Sequence, residues 1–150
     1  KSGRQREARH VKKKRERPCP HTERLVRRAL GNLKRQRYFD FYIHARQCDP
    51  LDAAHIDFLL CKKRKLVALQ VKGHIDSLLK HYARYPLIPA ILIDSRRKHP
   101  CLTVLEAALI SIFHNEKSSH ETVLDAKTIE TIRERVEAEG FTHFSPFARS

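Results

Sequence analysis

Two apolar, β-rich runs separated by four consecutive basic residues constrain this chain more than any other feature. In HIDFLLCKKRKLVALQVKG (55–73), the runs flank Lys62-Lys63-Arg64-Lys65, and Gly73 ends the second. Such runs predict strands over 54–61 and 66–72 joined as an antiparallel hairpin. Pairing across the turn sets Cys61 opposite Leu66, Phe58 opposite Leu69, Asp57 opposite Gln70 and His55 opposite Lys72. Side chains alternate along a strand. Asp57, His55, Gln70 and Lys72 are therefore expected on one face, and Ile56, Phe58, Leu60, Val67, Leu69 and Val71 on the other, against helices. A slip of one residue would scatter both sets.

Opposed residues carry Cβ atoms about 4.5–5.5 Å apart, so Asp57 and Gln70 can bind one cation. Mg²⁺ takes oxygen ligands and keeps much of its water. Asp57 offers a carboxylate, Gln70 an amide oxygen and Val71 a backbone carbonyl. Lys72, on the face of Gln70, would set an ammonium beside metal-bound water and a phosphate. The competing expectation is an Asp–Lys ion pair that merely caps the sheet.

The flanking sequence supplies the other elements. Residues 22–35 predict a helix with Thr22 as cap, Glu23 in the first turn and a stripe of Leu25, Val26, Ala29, Leu30 and Leu33. Glu23 shares a helix face with Val26, Leu30 and Leu33, so it should press toward the sheet as a second metal ligand, unless it serves only the helix dipole. Strands are expected over 37–45 and 88–95, with Phe39, Phe41 and Ile43 on one face of the first. Asp49-Pro50 reads as a loop. Helices are expected over 75–85, 103–115 and 125–140, with Gly140 terminating the last. Val104, Leu105, Ala108, Leu109, Ile112 and Phe113 repeat at helical spacing; Leu109, Ile112 and Phe113 serve core packing or an interface for a homodimer or partner protein.

An acid in a first helix, an Asp on a second strand and QxK on a third, in the order αβββαβ, resembles the PD-(D/E)xK nuclease superfamily. The resemblance covers residues 20–95. It implies an α/β fold with a restriction-endonuclease-like core, a mixed central sheet flanked by helices, and added C-terminal helices over 103–140. It also implies a Mg²⁺-dependent endonuclease, with Mn²⁺ as substitute, hydrolysing phosphodiester bonds, DNA favoured over RNA, and leaving a 5′-phosphate. By the same resemblance Asp57 and Gln70 ligate metal, Lys72 positions or activates the water, and Glu23 completes the site. Gln70 stands where an acid is commoner, which removes a charge, and Ile56 stands where Pro is commoner. The rival expectation is a nuclease-fold module that binds nucleic acid or assembles without cleaving. His55 and His74 flank the site as accessory groups or as histidines without a chemical role.

Charge points to the same partner. The chain of 150 residues has 31 Lys+Arg against 17 Asp+Glu, a net charge of +14, and so favours a polyanion by phosphate neutralisation. Residues 1–17 hold nine Lys/Arg and two Glu, half of that net charge, and read with 18–19 as a disordered basic arm before one domain over 20–150. Lys12, Lys13, Lys14 and Arg15 of the arm, Lys62, Lys63 and Arg64 of the turn, and Arg96, Arg97 and Lys98 are the expected phosphate contacts. No apolar run is long enough to span a bilayer. The scattered Cys19, Cys48, Cys61 and Cys101 suit reduced thiols in an intracellular compartment, cytoplasm, nucleoid or nucleus.

Overall fold

The computed structural model describes residues 21–94, 100–119 and 124–141. The first helix, α1 (His21–Arg35), buries Val26, Ala29, Leu30 and Leu33 while Arg24, Arg27 and Arg28 stay exposed, as its apolar spacing requires. Four strands follow from two separate parts of the chain: β1 (Phe41–His44), β2 (Phe58–Lys62), β3 (Lys65–Lys72) and β4 (Ala90–Leu92). They form one sheet in that spatial order, with β1/β2 and β2/β3 antiparallel and β3/β4 parallel. A parallel pair needs a crossover, and α3 (Ile75–Arg84) supplies it against β3 and β4. With α2 (Pro50–Ala53), α4 (Leu102–Asn115) and α5 (Ala126–Ala138), the fold is mixed α/β, a four-stranded mixed sheet flanked by helices. No helix among the described residues is long and apolar enough to cross a membrane.

The hairpin keeps the expected register, Phe58 opposite Leu69 and Cys61 opposite Leu66, but its strands differ from the expected 54–61 and 66–72. The turn is tighter, with Lys62 paired to Lys65 and Lys63 at φ 56°. At the other end β2 starts only at Phe58, because Asp49-Pro50 begins a helix where a loop was expected. The Asp49 side chain caps α2 by accepting from the Leu51 N–H at 3.0 Å, and proline suits the first helical position. The chain leaves α2 through His55, at φ 63°, and the Ile56 N–H turns back to the Leu51 carbonyl.

Alternation in the sheet builds two cores. Phe58, Leu60, Leu69 and Val71 pack with the buried stripe of α1 and with Leu105 and Leu109 of α4. Leu59, Cys61, Leu66 and Ala68 pack on the opposite side with Phe41, Ile43, Leu51 of α2, and Ile132 and Val136 of α5. Each fully buried large side chain contributes about 1.5–3 kcal/mol. Two expected faces are corrected here. Ile56 joins the second core rather than Phe58 and Leu60, because the turn at His55 breaks the alternation before β2. Phe39 joins the first core and meets Phe113 edge to face at 5.0 Å, because β1 begins after it, at Phe41.

Leu109 is fully buried, and Ile112 and Phe113 pack against the first core, whereas Val104 is 58% exposed. Those residues of α4 are therefore core, as one of the two expectations had it. β3 is satisfied along its second edge by two devices. Its C-terminal half pairs with β4. Its N-terminal half meets Ser118 and Ser119, whose hydroxyls accept from the N–H groups of Leu66 (3.0 Å) and Ala68 (2.9 Å). This explains two buried serines, since a buried strand N–H without a partner costs about 1–3 kcal/mol.

Candidate metal and phosphate site at the open end of the hairpin

Asp57 stands just before β2 and its backbone ties three strands together. Its carbonyl accepts from the Ala45 N–H at 2.8 Å, and its N–H donates to the Leu69 carbonyl at 2.9 Å. The side chain is buried, and Oδ2 accepts from the Val71 N–H at 2.8 Å. Because the chain veers off at His55 and Ile56, this carboxylate takes the place that a paired strand would have filled. Burial and then the nearby Glu23 carboxylate push the Asp57 carboxyl up to about 7, and Asp52 adds to the rise. The Val71 N–H and the Lys72 ammonium pull the other way without cancelling it. A carboxyl in that condition lacks compensating positive charge.

Glu23 reaches this region from the first turn of α1, as its helix position predicted. Its carboxylate lies 3.2 Å from His44 Nε2, and the His44 ring stacks on Phe58 at 4.4 Å between centroids. His44 thus fixes the second acid against the sheet. It was not singled out in the sequence, where it reads as one more alternating residue of a strand. The only signal was its even spacing from Tyr42, which marks the face toward α1.

The expected pairs Asp57–Gln70 and His55–Lys72 do not form: the ladder with β2 ends at Phe58–Leu69, and the Asp57 N–H turns to the Leu69 carbonyl, leaving Gln70 as the next residue of β3. Its backbone N–H donates to the Pro89 carbonyl at 2.9 Å. Its side chain is buried, and Oε1 has no hydrogen-bond partner among the described residues. Lys72 ends β3 half-buried, and Ile93 takes up its carbonyl at 2.8 Å. Its ammonium acts on Asp57 and on the buried His81, whose Nε2–H donates to the Ile88 carbonyl at 2.7 Å. Burial first, then Lys72 and His55, hold the His81 pKa below the usual histidine value, although the Ile88 bond raises it.

The structure therefore places Glu23 and Lys72 both within electrostatic range of Asp57. Glu23 comes from the first-core side with α1, whereas Gln70 and Lys72 alternate with Leu69 and Val71 of that core and so face the other side of the sheet. The expected Asp57–Lys72 cap does not form as an ion pair: Asp57 caps the Val71 N–H instead. His55 is half-buried and stacks on Tyr85 at 4.2 Å, and His74 is the exposed residue that precedes α3. Lys62, Lys63 and Arg64 sit at the far end of the hairpin, about 23 Å away along β3 at the usual rise per residue. Lys63 is tied there through its N–H to Asp40, and Lys65 lies 4.9 Å over the Phe113 ring. Lys12, Lys13, Lys14 and Arg15, and likewise Arg96, Arg97 and Lys98, lie outside the described residues. Nearer the site are Arg24, Arg27 and Arg28, exposed on the same turns of α1 that deliver Glu23.

A buried amide oxygen without a partner and a buried carboxyl raised by a second acid are the kinds of donor that suit a hard divalent cation. Among the described residues no three His, Cys, Asp or Glu side chains gather as a metal cage, so Gln70, the Val71 carbonyl and water would have to complete the shell. Comparison of the chain with known protein families, with curated proteins and with solved structures gave no match.

Proposed function

We propose that the chain is a Mg²⁺-dependent nuclease hydrolysing phosphodiester bonds, DNA before RNA, with Mn²⁺ as substitute, on a restriction-endonuclease-like core. The observation that carries this reading is the buried Asp57 carboxyl at the open end of the hairpin, acted on by both Glu23 and Lys72, with the unpartnered Gln70 oxygen in the adjoining strand. The metal, when bound, supplies charge neutralisation at phosphate and acidifies water. The residues do the rest. Asp57, with Oδ2 held by Val71, would offer its other oxygen to the metal, and Gln70 its Oε1. Glu23, oriented by His44, would complete the site from the α1 side. Lys72 orients the attacking water and steadies charge on the phosphate oxygens. Attack in line with the 3′ oxygen leaves a 5′-phosphate. Arg24, Arg27 and Arg28 are the nearest phosphate contacts, joined by the basic arm.

The test is cleavage of plasmid, single-stranded, branched and RNA substrates with Mg²⁺ or Mn²⁺ by wild type, Asp57→Ala and Lys72→Ala. Each substitution should lower the rate by roughly 100-fold or more, the scale of one lost electrostatic partner at a reacting centre. Metal-dependent cleavage that survives both would sink the assignment. Gln70, one acid short of the usual pattern, favours the second reading of a binding module without cleavage. Wild-type binding with no cleavage under any of these conditions would select it.

A further inference from the structure

We infer that the cavity beside the Asp57 end of the hairpin is a pocket for one unpaired nucleobase of the bound strand. The inference rests on the nucleic-acid reading above and adds to it a second site. The cavity has a volume of about 300 Å³ and is lined by Ala54, His55, Arg84, Tyr85, Ile88 and Leu124 among others. That volume is at the small end of ligand cavities (about 300–1,000 Å³). It has room for a single heterocycle.

Its chemistry is that of a stacking site. His55 and Tyr85 already stand ring on ring at 4.2 Å and 28°, both half-buried, so the pair gives the cavity a flat aromatic wall. Ile88, buried, and Leu124 and Ala54, half-buried, provide apolar contact, and exposed Arg84 places a cation where the backbone of a strand would run. Asp125, the acid among the lining residues, is engaged in capping α5 through the Thr128 N–H.

The cavity is also placed for this use. His55 lies two residues before Asp57, and both His55 and Lys72 act on His81, so wall and candidate site share neighbours.

The experiment uses the full chain without divalent cation, so that binding is read apart from cleavage. A single-stranded oligonucleotide carrying 2-aminopurine should be quenched by wild type and by Tyr85→Phe. Tyr85→Leu should lose the quench and bind the single strand roughly tenfold more weakly, the scale of one stacked base, with blunt duplex affinity unchanged. Ala54→Phe, which fills the cavity and leaves the aromatic wall in place, should do the same. Wild-type quenching by Ala54→Phe overturns the pocket, whatever the folding of Tyr85→Leu. So does equal weakening of single strand and duplex. A chain that quenches but never cleaves keeps the pocket and loses the nuclease reading. One that cleaves without quenching does the reverse.

Discussion

Asp57 ionises against two opponents, its own burial and the Glu23 carboxylate, which together lift its carboxyl from 3.8 to about 7. Between those values the folded chain keeps a proton that the unfolded chain has lost, so this residue's contribution to stability falls as pH rises from about 4 to 7 and is flat above. Asp57→Asn keeps an oxygen for the Val71 N–H and removes the charge. In thermal melts without divalent cation it should be more stable than wild type at pH 8, on the order of 1–3 kcal/mol, and level with it at pH 4. An advantage that persists unchanged at pH 4 would exclude this cause. Millimolar Mg²⁺ at pH 8 should raise the wild-type Tm and leave Asp57→Asn in place, because only a ligand that prefers the native state stabilises it. Gln70→Glu makes the opposite case. It adds a third carboxylate near Asp57, so the metal-free protein should melt lower at pH 8 and the Mg²⁺-dependent rise in Tm should grow. An unchanged response to Mg²⁺ would place the residue 70 side chain outside the ligand set.

Helix α2 is only one turn long, too short to hold by itself, yet it sets where β2 begins. Its stability comes from Asp49, which caps it and pairs with Arg135 of α5 from a buried position. Arg135 is shared with Glu139, so α5 is latched to α2 across the second core. Asp49→Ala removes the cap and leaves a half-buried guanidinium short of its partner, and should cost about 2–3 kcal/mol in denaturant unfolding. A loss within a few tenths of a kcal/mol of Glu139→Ala, which breaks only the exposed side of the latch, would show the cap to be dispensable. Asp49-Pro50 was legible as a helix start, since Asp before Pro is a cap followed by the residue that suits the first turn. Between two long apolar runs it was outweighed by their strand pattern.

Across the whole molecule, charge sets how strongly nucleic acid would be held and how salt weakens it. With a net charge of +14, binding should fall steeply with salt, each phosphate contact adding about 0.9 to the log–log slope. Replacing Lys12, Lys13, Lys14 and Arg15 with Ala in the full chain should reduce that slope by up to about 3.6. A slope that does not move assigns the contacts to α1 and the folded surface. The sequence by itself determined the hairpin register from Phe58 to the turn, the order of the longer elements and the face of α1 that carries Glu23, because periods of 2 and 3.6 residues are local properties of the chain. It could not determine that His55 leaves the strand, that Asp57 therefore caps Val71, or that His44 backs Glu23. Each of these depends on which segments meet in space. Burial, which lifts Asp57 and strands the Gln70 oxygen, exists only once α1, β2 and β3 have packed, and so was the tertiary structure's to decide.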